Sequence, residues 1–204
     1  MIIYIARHGQ NEDNAEGILN GHRDKPLTDI GVAQAHELAK GMKAQGVQID
    51  HVYSSPLSRA YTTARIVSST LNLPTPKIHD LLIERDFGVM TGKKASDIKN
   101  LCGSDVIETN TITYFLSPDG AETFPELVGR AKRLTLELAE NHRDESLLLV
   151  THGDFGKMIY AAFYQLTWKE VLTKFHFGNC ELLVLEMGAD TDKPHIITID
   201  QHNH

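Results

Sequence analysis

Cysteine, positive charge and long apolar runs are all scarce in this 204-residue chain. Only Cys102 and Cys180 occur, in unlike contexts and without metal-type spacing, which excludes a disulfide framework or a cysteine-rich metal module. Both are expected to be reduced thiols in a cytoplasmic protein, with Cys180 acting as a small hydrophobe in a strand. Lys and Arg number 20 against 27 Asp and Glu, a net charge of −7, which argues against nucleic acid or an anionic membrane surface as a general partner. An anionic small molecule stays open, because a focused positive cleft can sit on an acidic protein. No apolar run reaches the roughly 18 residues that a membrane helix needs. The start, Met1-Ile2-Ile3-Tyr4, lacks the basic region and cleavage site of a signal peptide and reads directly as a first strand. Repeats, low-complexity tracts and linkers are missing too, so the expectation is one domain over residues 1–204.

What is present is an alternation of strand and helix signals. Strands are expected at Ile2–Ala6, His51–Ser54, Ile78–Leu82, Ser146–Thr151, Glu181–Glu186 and Ile196–Asp200. Helices are expected over Gly31–Ala44 with Thr28 as N-cap, Leu57–Leu71, about Glu122–His142, and about Phe155–Tyr164. Parallel strands joined by crossover helices predict an α/β fold, a three-layer α/β/α sandwich with a mostly parallel central sheet. Between about residues 88 and 120 the pattern weakens. Short helices at Lys93–Leu101 and Asp105–Phe115 and a turn at Ser117–Gly120 predict a cap insertion over a ligand cleft. The tail Gln201–His204 is expected to fray.

Two apolar runs end in a histidine beside a glycine: Ile2 to Ala6 leads into Arg7-His8-Gly9, and Leu147 to Val150 into Thr151-His152-Gly153. Parallel strands of an open α/β sheet deliver side chains to the ligand at their C-terminal ends. Two such histidines with Arg7 beside the first would make a positive pocket around an imidazole, suited to attack on a phosphoryl group. Arg7 offers a planar fork for phosphate oxygens, and Gly9 would let the backbone approach closely. Arg59 falls in the first turn of a helix right after a strand, where an anion is already favoured.

Six stretches in register then resemble the histidine phosphatase superfamily, the phosphoglycerate mutase-like proteins and their small-phosphatase branch in particular. They are R-H-G-x-x-x-x-N (Arg7 to Asn14), G-x-x-D-x-P-L-T-x-x-G (Gly21 to Gly31), S-S-P-L-x-R-A (Ser54 to Ala60), Glu84 before Phe87-Gly88, G-x-E-T (Gly120 to Thr123) and His152-Gly153. The resemblance implies His8 as the nucleophile that becomes phosphohistidine, with Arg7, Arg59 and His152 holding the phosphoryl oxygens. It implies further contacts from Asn14, Asn20, Gly21 and Gly153, and Glu84 as general acid and then base. It implies no metal and no cofactor, and a small-molecule phosphate ester as substrate. A homodimer through an edge strand or the cap stays open.

The chain departs from the family pattern at Asn11, where Ser or Thr is usual, and at Asp154 and Lys157 after His152. Asp154 is expected to cap the following helix. His22 follows the nucleophile in a loop and is a candidate for the pocket. His36, His51, His79, His142, His176 and His195 are expected to be surface or packing residues. Phe87, Tyr114, Phe115 and Phe124 are candidates for an apolar cleft under the cap, Lys93 and Lys94 for a solvated face, and Glu122 for the start of the long helix. Hydrolysis is favoured over phosphoglycerate mutase chemistry on two counts. The family's mutases carry E-R-x-Y-G where this chain has Phe87, and between Lys99 and Arg130 there is no Arg or Lys to clamp a second anion. A phosphoprotein phosphatase and a catalytically dead binding module are weaker alternatives, the last because His8, Glu84 and Arg59 are all present.

Overall fold

The computed structural model describes residues 1–201. In chain order the elements are β1 (Ile2–Arg7), α1 (Glu12–Ala15), α2 (Asp29–Ala44), β2 (His51–Ser54), α3 (Ser58–Leu71) and β3 (Lys77–Ile78). Then come α4 (Ile98–Cys102), β4 (Val106–Glu108), β5 (Thr113–Phe115), α5 (Phe124–Asn141), β6 (Ser146–Thr151), α6 (Gly153–Tyr164), α7 (Trp168–Lys174), β7 (Leu182–Leu185) and β8 (His195–Ile197). The main sheet has the order β3-β2-β6-β1-β7-β8. Its β3, β2, β6 and β1 run parallel, while β7 is antiparallel to β1 and β8 to β7.

Alternation along the central strands creates the layers. Ile3 and Ile5 of β1 with Leu147 and Leu149 of β6 face one side, where α5, α6 and α7 cover them through Leu127, Leu134, Phe155, Ile159 and Leu172. Ala6, Leu148 and Val150 face the other side, against Leu38 and Met42 of α2 and Ala64 and Val67 of α3. Both faces are buried, which is why these strands read as nearly continuous apolar runs. Thr28 caps α2 by accepting from Gly31 N–H, as its sequence predicts. Thr123 and Glu126 form a reciprocal capping box at the start of α5.

Several expected elements differ. The segment Asp105–Phe115 is a β4–β5 hairpin rather than a helix. Its arms, Val-Ile-Glu and Thr-Tyr-Phe, are β-branched and aromatic, and Thr109 Oγ1 accepts from the N–H groups of Thr111 and Ile112 to hold the turn. The expected strand Ile78–Leu82 stops at Ile78, because His79 Nδ1 accepts from Leu81 N–H and starts a 3₁₀ turn over Asp80–Leu82. The expected helix Lys93–Leu101 is a 3₁₀ turn, Ala95–Asp97, running into α4. Helices α1 and α7 were not expected. Cys180 is buried but sits in a turn before β7 with φ +55°, not in a strand. Gln201 does not fray, since its amide exchanges hydrogen bonds with the Asn179 backbone; the rest of the expected frayed tail lies outside the described residues. Phe87, Met90, Ile98 and Phe115 form a separate small core beneath the insertion.

Candidate active site

β1 and β6 are neighbours in register, Arg7 opposite Thr151, so the residues that follow them emerge side by side at the C-terminal edge of the sheet. His8 N–H donates to the Thr151 carbonyl, and the His8 and His152 rings meet edge to face with centroids 5.1 Å apart. Beside them lies a cavity of about 150 Å³ lined by Arg7, His8, Asn14, Asn20, Arg59, Glu84, Gly153, Asp154, Lys157 and apolar groups including Ile112 and Tyr114.

His8 is fixed from both ring nitrogens. Nδ1–H donates to the Gly9 carbonyl at 2.7 Å, so Nε2 carries the lone pair, and Arg59 Nε–H points at it from 3.2 Å. Burial, then the charges of Arg59 and Arg7, push the His8 pKa well below the ordinary imidazole value. The ring is therefore neutral at pH 7, with its nucleophilic nitrogen identified. The same causes, burial first, lower His152 well below the usual range. Its Nε2 meets Ser55 Oγ at 2.7 Å, and its Nδ1 is buried with no partner among the described residues.

Arg59 is fully buried and held by carbonyls: Nη1–H donates to Arg23 at 2.6 Å and Nη2–H to Gly21 at 2.9 Å. Gly21 thus orients the arginine through its backbone. Burial lowers the Arg59 pKa to about 10, so the guanidinium keeps its charge at neutral pH. Arg7 is anchored by one bond to the Phe177 carbonyl, and its Nε is buried without a partner among the described residues. The close approach expected of Gly9 is made to α2 rather than to a ligand. A Cβ at Gly9 would lie 2.4 Å from the Gly31 carbonyl oxygen, and one at Gly31 would lie 2.0 Å from that of Gln10, so the two glycines let these segments touch.

Glu84 follows the 3₁₀ turn, and its Oε1 accepts from Arg85 N–H at 2.9 Å and Phe155 N–H at 3.1 Å. Phe155 lies in the first turn of α6, whose N-cap His152 supplies no side-chain bond, so the Glu84 carboxylate caps that helix from a distance. Burial, then the neighbouring Asp154 charge, raise the Glu84 pKa above the usual carboxylate value, while the two N–H donors and Arg59 oppose the shift. Asp154 does not cap α6 as expected. Its carboxylate is 2.9 Å from Arg85, whose buried guanidinium lies between the rings of Phe115 and Phe124. Glu122 also does more than start a helix: it pairs with Arg130, whose remaining N–H groups donate to the carbonyls of Leu81, Ile83 and Glu84. His22 Nε2–H donates to the Glu84 carbonyl at 2.8 Å, so it braces the acid's backbone instead of lining the cavity.

Asn11 N-caps α1 and pairs with the Asn20 amide at 2.6 Å, which gives the departure at that position a job. Of the expected aromatics, Phe87 and Tyr114 line the cavity, whereas Phe115 and Phe124 surround Arg85. Lys157 is buried, its pKa lowered to about 8 mainly by burial, and its ammonium donates to Tyr114 Oη and to the carbonyls of Leu172 and Phe175.

Residues 3–199 match the profile of the histidine phosphatase superfamily (branch 1). The chain belongs to the histidine phosphatase superfamily. A 2,3-bisphosphoglycerate-dependent phosphoglycerate mutase of Methylobacterium sp. (strain 4-46) is 31% identical over 194 residues, covering 93% of each chain. A mycobacterial glucosyl-3-phosphoglycerate phosphatase solved with VO3 shares the fold at TM-score 0.77 and 24% identity, over 91% of this chain and 92% of that one. A phosphoserine phosphatase of Entamoeba histolytica solved with 3-phosphoglyceric acid does so at TM-score 0.72 and 24% identity, over 90% and 89%. As a superfamily member the chain is a phosphatase or mutase enzyme.

Sequence reasoning missed Asn179, a buried residue whose amide donates to the His8 carbonyl at 2.8 Å and to Asn14 Oδ1 at 3.2 Å. Arg130, Ser55 and the cavity residues Ile18, Leu19 and Phe177 were also missed. Ser55 alone carried a signal, since it lies within the S-S-P-L-x-R-A stretch.

Proposed function

We propose that this superfamily member is a phosphomonoesterase that needs no metal for turnover and hydrolyses small phosphate esters through a phosphohistidine on His8. In the first step His8 Nε2 attacks phosphorus, the P–O bond to the alcohol breaks, and protonated Glu84 gives its proton to the departing oxygen. Arg7 and Arg59 carry the equatorial oxygens, with Asn14, Asn20, Gly153 and the backbone around Gly21 shaping the rest of the cradle. Asn14 Oδ1 is occupied by Asn179 and by Asn11 N–H, which leaves its NH₂ for the phosphate. The Nδ1 of His152 and the Nε of Arg7, otherwise orphaned, are satisfied by phosphoryl oxygens. In the second step water gives a proton to the Glu84 carboxylate and attacks phosphorus. The N–P bond breaks, releasing phosphate and restoring neutral His8 and protonated Glu84.

The observation that carries this reading is a neutral His8 with its Nε2 lone pair facing Arg59, in the same cavity as a carboxyl whose pKa is raised. Hydrolysis is preferred to mutase transfer because the cavity offers little to a second anionic group. Beyond Arg7 and Arg59 its lining cation among the described residues is Lys157, whose ammonium is taken up by Tyr114 and two carbonyls. The mutase reading is supported by the 31%-identical Methylobacterium relative. Assays of 3-phosphoglycerate with and without 2,3-bisphosphoglycerate, beside a panel of other phosphate esters, separate the two. Free phosphate from several esters is expected; bisphosphoglycerate-dependent isomerisation without phosphate release would replace hydrolysis with transfer.

A further inference from the structure

At the other end of the sheet, where β2 and β6 begin, two imidazoles converge on one carboxylate. His51 opens β2, Glu145 immediately precedes β6, and His142 follows α5. His51 Nε2 is 3.1 Å from Glu145 Oε1, and His142 Nδ1 is 2.5 Å from Glu145 Oε2. The rings stand 4.8 Å apart, tilted by 48°. We propose that His51, His142 and Glu145 form a binding site for a divalent transition-metal ion of the Zn²⁺ class, separate from the phosphate cavity.

Three features favour a metal over a simple ion pair. Two neutral nitrogens and one carboxylate oxygen are the donor set of three-ligand Zn²⁺ centres, with a fourth position left for water. The donor atoms already lie within 4.8 Å of one another, whereas ligands at about 2.0–2.1 Å around a tetrahedral ion stand ~3.4 Å apart, so small rotations close the site. The far nitrogen of His142, Nε2, is 2.9 Å from Tyr53 Oη. That partner lets the ring hydrogen move from Nδ1 to Nε2 as the metal takes the Nδ1 lone pair, the outer contact that metal-bound histidines usually make. His51 coordinates through Nε2 with its hydrogen on Nδ1, so both rings bind as neutral imidazoles.

The backbone around the three ligands is already fixed. Asp50 Oδ2 accepts from Ser146 N–H, Ile2 N–H donates to the Glu145 carbonyl, and His142 N–H donates to Leu138. His51 and Glu145 are partly exposed, at 29% and 40% of their side chains, so an ion can enter from solvent. Sequence spacing concealed the site, since the ligands are contributed by segments some ninety residues apart.

The test is Zn²⁺ titration of the full chain carrying H202A and H204A, which removes the His-x-His tail as a competing ligand. One equivalent is expected to bind and to raise the unfolding temperature. E145Q and H51Q should each lower the affinity at least tenfold, and Tyr53→Phe should lower it by ~10-fold or more by removing the outer contact while keeping the ring. Co²⁺ in place of Zn²⁺ should give tetrahedral d–d absorption, a readout that needs no variant at the ligands. Hydrolysis of p-nitrophenyl phosphate should be the same with and without Zn²⁺. No saturable binding, no tetrahedral Co²⁺ spectrum, or binding indifferent to E145Q and H51Q would each overturn the site.

Discussion

Replacing Glu84 by glutamine isolates the proton from the shape of the site. The amide oxygen can keep the bonds that Glu84 Oε1 now accepts from Arg85 and Phe155 N–H, so the α6 cap and local fold persist. What is lost is the proton for the leaving oxygen. General acid catalysis contributes about 10²–10⁴ in rate, or ~2.7–5.4 kcal/mol at 1.36 kcal/mol per tenfold. For an alkyl phosphate, E84Q should therefore lower kcat/KM by about 10²–10⁴. For p-nitrophenyl phosphate, whose leaving oxygen scarcely needs a proton, kcat/KM should fall by no more than about tenfold. The steady-state kcat for that ester should still drop, because water attack on phosphohistidine needs the carboxylate as base. Stopped-flow mixing should then show one equivalent of p-nitrophenol released in a burst, followed by slow turnover. Equal losses in kcat/KM for both esters, or no burst, would refute the assignment of Glu84 as acid and base.

Other outcomes follow from the same geometry. Because the raised pKa of Glu84 penalises its charged form in the fold, its contribution to stability is complete below the unfolded value of about 4.3 and is lost as pH rises through the folded value. Urea unfolding across pH should show E84Q gaining on the wild type as pH rises from about 4 toward neutrality, and a constant difference would contradict the shift. Asp154→Asn removes a charge that raises the Glu84 pKa, so the basic limb of kcat/KM for an alkyl ester should move to lower pH; an unmoved limb would separate Asp154 from the acid. Arg130→Met breaks the pair with Glu122 and frees the Leu81, Ile83 and Glu84 carbonyls, and should destabilise the protein by about 3–5 kcal/mol in urea unfolding. A loss under ~1 kcal/mol would show that the Glu84 segment is held by something else.

The parts of the site that could be read in the sequence are those where local pattern and chemistry coincide. Arg7, His8 and His152 end apolar runs, and both runs are central strands because each alternates between two buried faces. Arg59 was legible as a helix-start arginine, and Thr28 as a cap with its bond to Gly31. What could not be read depends on contacts across long stretches of chain. Asn179 reaches the His8 carbonyl from 171 residues away and belongs to no motif. The roles of Asp154 and Glu122 turned on the buried arginines Arg85 and Arg130, whose partners become visible only in the folded chain. The β4–β5 hairpin differs from the short helix expected there for another reason: its β-branched and aromatic arms are only three residues each, too short for an alternating period to show.

The proposed mechanism requires a covalent bond from phosphorus to one nitrogen of His8. Enzyme mixed with ³²P-labelled ester and quenched within a turnover should carry acid-labile, base-stable label, mapped to the peptide containing His8. His8→Ala, folded by circular dichroism, should carry none and hydrolyse nothing. Label on another residue, or turnover that survives in His8→Ala, would contradict the mechanism.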